Sequence, residues 1–94
     1  MEEDRNKKRK AVALSYDPNN AAPLVVASGQ GAIADRIIEK AKEADVATYK
    51  DEGLADTLLK LEVGDMIPPE LYGVVAEILV YVDRMDKIKS KLNR

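Results

Sequence analysis

Leu24-Val25-Val26-Ala27-Ser28-Gly29-Gln30-Gly31-Ala32-Ile33-Ala34-Asp35-Arg36-Ile37-Ile38 decides the fold class, because the spacing of its apolar residues changes partway along. Leu24 to Ala27 is a continuous, β-branched run, the pattern of a strand covered on both faces. Gly29-Gln30-Gly31 ends that run. From Ala32 the repeat is helical, with Ile33, Ile37, Ile38 and Ala41 inward and Asp35, Arg36, Glu39, Lys40, Lys42 and Glu43 outward. A strand that passes into a helix over one glycine-rich turn is the unit from which α/β folds are assembled.

Upstream, Ala11 to Tyr16 forms a second apolar run with partial alternation, closed by Asp17-Pro18-Asn19-Asn20. These are turn formers: Pro fixes φ, while Asn and Asp bond their own backbone. The first two strands are therefore expected to pair antiparallel across residues 17–22. Downstream, Val46-Ala47-Thr48-Tyr49 reads as a third strand, closed by Lys50-Asp51-Glu52-Gly53. Strand, helix and strand at this spacing predict a parallel βαβ unit with a right-handed crossover.

Leu54, Leu58 and Leu61 mark a short helix that ends near Val63-Gly64-Asp65, and Pro68-Pro69 opens the longest helix. Pro is tolerated there because its missing N–H would have had no intrahelical partner. Ile67 is placed to staple against Tyr72. At about 100° per residue, Leu71, Val74, Val75, Ile78, Val82 and Met85 share one arc, while Gly73, Glu77 and Arg84 face solvent. Ala76 and Val80 fall beyond that arc and Leu79 at its edge, more apolar surface than one packing face needs. The expected fold is one compact α/β domain in β-β-α-β-α-α order, with about three strands and a long C-terminal helix. Residues 1–10 form a charged arm, 11–85 the domain, and 86–94 a basic helical extension or tail.

Composition narrows the chemistry. The chain has 94 residues, with no Cys, His, Trp or Phe and four tyrosines. Disulfides, thiolate metal sites, Cys nucleophiles and imidazole proton transfer are thereby excluded. Leu71 to Val82 is the longest apolar stretch, but Glu77 breaks it and it is too short to span a bilayer. No secretory leader is recognisable, so a cytoplasmic protein without membrane insertion is expected. Of fifteen basic residues, five lie within 1–10 and five within 84–94, leaving five basic against thirteen acidic ones between. An acidic body with basic ends does not suit a nucleic-acid-binding face, and Lys7-Lys8-Arg9-Lys10 reads as a solvated arm.

Gly29-Gln30-Gly31-Ala32-Ile33-Ala34 has the G-x-G-x-x-A spacing of a phosphate-cradling turn, and Asp51 and Glu52 follow about twenty residues later, where a ribose-binding acid would stand. A nucleotide- or phosphate-binding module is the rival reading. Against it, a dinucleotide domain continues with further βα units, whereas only helices remain here. The glycines serve equally as a tight turn that lets helix and sheet approach. No nucleophile, base and orienting group assemble from the sequence, so neither an enzyme, a cofactor nor a metal site is expected.

Five blocks in order carry a family resemblance: Ala11-Val12-Ala13-Leu14-Ser15-Tyr16-Asp17-Pro18; Ala22-Pro23-Leu24-Val25-Val26-Ala27-Ser28-Gly29; Leu54-Ala55 with Leu58; Glu62-Val63-Gly64-Asp65-Met66-Ile67-Pro68-Pro69-Glu70-Leu71-Tyr72; and Val75-Ala76-Glu77-Ile78-Leu79-Val80-Tyr81-Val82. Over residues 9–84 the chain resembles the cytoplasmic C-terminal domain of the FlhB family, the substrate-specificity switch proteins of flagellar type III export. The resemblance implies a stand-alone counterpart of that domain, without the family's membrane-embedded half. Its implied partners are export substrates or chaperones and export-gate proteins. An apolar capture surface would map onto Ala22, Pro23, Ala76 and Leu79. In the full-length family an extra strand precedes the autocleavage site; here the edge beside Ala11–Tyr16 is open to a partner strand or to a homodimer.

The family's Asn-Pro-Thr-His autocleavage site aligns with Asn6-Lys7-Lys8-Arg9. Cleavage there resembles asparagine cyclisation, in which the side-chain amide attacks its own carbonyl within a proline-shaped turn. Asn6 is retained, but Lys7 cannot fix that turn and no imidazole is present to move the proton. The purified chain is therefore expected to keep its full mass over days at neutral pH; a break after Asn6 in the mass spectrum would contradict this.

Overall fold

The computed structural model describes residues 9–17 and 19–92, with side chains described through Arg84. Two antiparallel strands, β1 (Lys10–Ser15) and β2 (Leu24–Gln30), form the sheet. They are followed by α1 (Ala32–Glu43), α2 (Glu52–Leu58), a 3-10 turn (Pro69–Leu71) and α3 (Tyr72–Leu92). The hairpin has the expected antiparallel sense. Ala13 pairs with Ala27 and Leu14 with Val25, so Val26 is an extra residue, a β-bulge that bends β2. Asp17 shapes the connection: its carboxylate accepts the Asn19 amide at 2.9 Å, and its carbonyl the Asn20 amide at 2.8 Å.

The fold class is α/β, as the sequence implies, but the third strand is absent. Residues 46–50 are irregular and exposed. Val46 closes the end of α1, its amide donating to the Ala41 carbonyl at 2.8 Å. The Tyr49 ring meets the Tyr81 ring of α3 edge-on, with centroids 5.6 Å apart. The outer edge of β2 is meanwhile taken by residues 64–67. The Val25 amide donates to the Asp65 carbonyl at 2.9 Å, the Gly64 amide to the Val25 carbonyl at 2.7 Å, and the Ile67 amide to the Pro23 carbonyl at 3.0 Å. An antiparallel bridge between Leu24 and Met66 completes the contact. β2 is thus bonded on both edges, and no parallel βαβ unit forms. Gly64 makes this possible, for its φ of +100° closes the turn that returns residues 62–65 to β2.

α1 packs on both strands. Ile33, expected inward, is 60% exposed, whereas Ala34 is fully buried. The cause is the closeness of helix and strand: a Cβ on Gly29 would collide with the Ile33 side chain. Ala34 suits such an approach, while Ile33 lies over Gly29 with its Cβ and Cγ2 and leaves most of its side chain exposed. The other side of the molecule is held by Ala22, Leu58, Ile67 and Val75, around which Val12, Leu14, Leu54, Leu61, Leu71, Val74 and Leu79 pack. The expected leucine stripe of α2 and the inward arc of α3 both supply this core. Asp51 caps α2, its carboxylate accepting the Leu54 amide at 3.1 Å.

Overpacking a tight contact costs about 1–3 kcal/mol, so Gly29→Ala is expected to lower the urea midpoint by that equivalent. Gly73 lies on α3 with open space around it: a Cβ there would meet nothing within 4 Å. Gly73→Ala is therefore expected to raise stability by roughly 0.5–1 kcal/mol.

Candidate functional site

The hairpin connection and the first turns of α3 meet around an open groove of about 360 Å³. Its floor is core: Ala22 (2% exposed), Pro23, Ile67 and Val75 are all buried. Tyr16 and Tyr72 stand at its lips, 52% and 43% exposed. Ala21 and Ala76 add exposed apolar surface, and Leu79 is half-buried. α3 is set at this place by the antiparallel run of residues 64–67 along β2. That run delivers Ile67 beneath the groove and Pro68-Pro69 to the start of the 3-10 turn. Pro69 occupies the first turn, where a missing N–H is harmless.

All four residues expected to form a capture surface, Ala22, Pro23, Ala76 and Leu79, line this one groove. They are not equivalent. Ala22 and Pro23 are floor, covered by neighbouring side chains, while Ala76 is open to solvent. Sequence reasoning does not assign the other lining residues to the surface: the exposed Ala21, Tyr16 and Tyr72, and the buried Ile67 and Val75. Tyr72 is legible in hindsight, since it lies four and seven residues before Ala76 and Leu79 on the same helical face. Tyr16 carries no such signal beyond its place at the start of a turn. No polar or charged side chain is buried among the described residues, and the groove presents shape and apolar contact.

The positions aligned with the autocleavage motif divide. Asn6, Lys7 and Lys8 lie outside the described residues. Arg9 is described, and its Nη1 donates to the Asp35 carboxylate at 2.7 Å, an exposed ion pair that ties the start of β1 to α1. Lys10 opens β1, and its Nζ lies 2.7 Å from the Asp56 carboxylate on α2. That hydrogen bond, opposed by desolvation and aided by the negative charges of Asp56 and Glu52, holds the ammonium above its ordinary pKa.

The glycine turn is occupied by the fold itself. Gly31 donates its amide to the Arg9 carbonyl at 2.8 Å and, through its carbonyl, accepts the Asp35 amide at 3.0 Å. Asp35 places a carboxylate in the first turn of α1, where a phosphate would meet like charge. Asp51, the would-be ribose acid, caps α2. Among the described residues there is no group of three or more acidic side chains placed to hold a metal ion, and no helix is long and apolar enough to cross a membrane.

A bulged hairpin flanked by helices, with a long final helix beside an open groove, is the architecture of a class of small C-terminal domains. The structure superposes on the crystal structure of the cytoplasmic domain of FlhB from Shewanella putrefaciens with a TM-score of 0.83 at 30% identity, covering 87% of this chain and 69% of that one. The chain belongs to the FlhB HrpN YscU SpaS family, whose sequence pattern matches residues 5–82. It is 45% identical over 85 residues to the protein YlqH of Bacillus subtilis (strain 168), covering 88% of this chain and 91% of YlqH. It is 47% identical over 74 residues to the flagellar biosynthetic protein FlhB of Salmonella typhimurium, covering 77% of this chain. The match spans 19% of that FlhB.

Proposed function

We propose that the chain is a non-catalytic recognition module of type III protein export, acting as the C-terminal domain of FlhB does in substrate recognition and switching. The observation that carries this reading is the convergence of Ala22, Pro23, Ala76 and Leu79 on one open apolar groove. Two exposed aromatic rings at the lips of a groove with a well-packed floor are the anatomy of a peptide-docking site. Its partners are export substrates or their chaperones, held at the cytoplasmic face of the membrane beside export-gate proteins. The outer edge of β1, which has no strand neighbour in the described sheet, gives a second copy or a partner strand a place to add.

Ala76→Asp tests the groove directly. Ala76 is exposed, so the variant is expected to fold with near-normal stability, whereas Ala22→Asp would bury a carboxylate in the core. Binding of a fluorescent export-substrate peptide is expected to weaken about tenfold or more, equivalent to about 1.4 kcal/mol or above. Unchanged binding in the folded variant would remove the groove from the mechanism.

A further inference from the structure

Among the described side chains, the last of α3 to pack on the core is Leu79. Asp83 and Arg84 are exposed, and the helix continues to Leu92. Its last nine positions, 84–92, carry Arg84, Lys87, Lys89 and Lys91 against one carboxylate, Asp86. At about 100° per residue, positions 85, 88 and 92, held by Met, Ile and Leu, share an arc of about 60°. Tyr81, four residues before Met85, falls on the same arc and is 49% exposed. Positions 84, 87 and 91 run along one flank of this strip and 89 along the other, while Asp86 and Ser90 fall opposite. Cations thus border an apolar strip on both sides. A second copy on this face would set basic flank against basic flank. Nucleic acid would match the charge but leave the strip without a partner. A bilayer surface with acidic lipids satisfies both, being anionic at its headgroups and apolar just beneath them.

We propose that the C-terminal part of α3, from Tyr81 to Leu92, is a peripheral docking face for an anionic lipid surface. Tyr81, Met85, Ile88 and Leu92 enter the headgroup boundary, and Arg84, Lys87, Lys89 and Lys91 meet lipid phosphates. The helix lies on the membrane rather than across it, for no helix of the described residues is long and apolar enough to span one. Between 11 and 83 the chain has thirteen acidic residues against five basic ones, so the same surface repels the body and orients the molecule. Ala76 precedes Met85 by nine residues, about half a turn out of phase, which turns the groove side of α3 away from the lipid. The proposal holds whatever the groove binds.

The test floats the full chain with vesicles of phosphatidylcholine, alone or with about 30% phosphatidylglycerol, in about 100 mM salt. Binding to the acidic vesicles is expected to exceed that to the neutral ones at least tenfold, and to fall as salt rises. Lys87→Gln/Lys89→Gln/Lys91→Gln should weaken it about a hundredfold. Met85→Ser/Ile88→Ser, with the charge unchanged, should weaken it about tenfold. Arg5→Gln/Lys7→Gln/Lys8→Gln removes as much charge from the other basic end and should leave most of the binding. Equal binding to the two kinds of vesicle, or to neither, overturns the proposal. So does an arm variant that loses binding as fully as the lysine variant of α3. If the serine variant binds as tightly as the parent chain, charge alone explains the attraction and the apolar strip has no part in it, which also overturns the proposal. Self-association in light scattering that the serine variant abolishes would assign the face to a second copy and overturn it too.

Discussion

The two-sided backbone pairing of β2 is the constraint on which the rest depends. One edge carries β1; the other carries residues 64–67 through hydrogen bonds of 2.7–3.0 Å. A small two-stranded sheet is marginal alone, and this one gains from having its inner strand's backbone satisfied on both sides. The same pairing fixes where α3 begins. Ile67, bonded to the Pro23 carbonyl, leads directly into the proline pair and the 3-10 turn, so the first turns of α3 lie beside Ala22 and Pro23. The groove is a consequence of that register. A shift of one residue along β2 would turn Ile67 out of the core and Met66 into it.

Electrostatics finish the frame without entering the core. Arg9 and Lys10 bind the start of β1 to α1 and α2 respectively, through carboxylates remote in sequence. Such exposed pairs contribute little stability individually, but these two hold adjacent residues to different helices and so orient the edge strand. The other carboxylates of the acidic body lie elsewhere in the chain. A domain with no buried polar side chain among its described residues owes its character to where apolar surface is left uncovered.

The hairpin was legible because strong turn formers separate two apolar runs, and the inward arc of α3 because a helix repeats its face every few residues. The missing third strand has a physical reason. Val46 and Thr48 have β-branched side chains, but local propensity carries no information on which edge of β2 is vacant, and residues 64–67, with glycine and a following proline pair, do not look like a strand. The Ile33 and Ala34 exchange was equally hidden, since it depends on how closely Gly29 lets α1 descend. Within the site, Ala76 and Leu79 were visible as surplus apolar surface on α3. Ala22 and Pro23 were reached only through family resemblance, because a short turn segment has no periodicity to read. The Arg9–Asp35 and Lys10–Asp56 pairs leave no mark in the sequence at all.

The central claim is that the groove beside α3 receives another polypeptide. Methyl-resolved NMR of the intact chain, titrated with a peptide from an export substrate, tests it most directly. The account predicts saturable shifts in the methyl groups of Ala22, Ala76 and Leu79, with the amides of Gly29, Gln30 and Gly31 unmoved. Silent methyl groups at those three residues, under conditions where the peptide demonstrably binds, would contradict it.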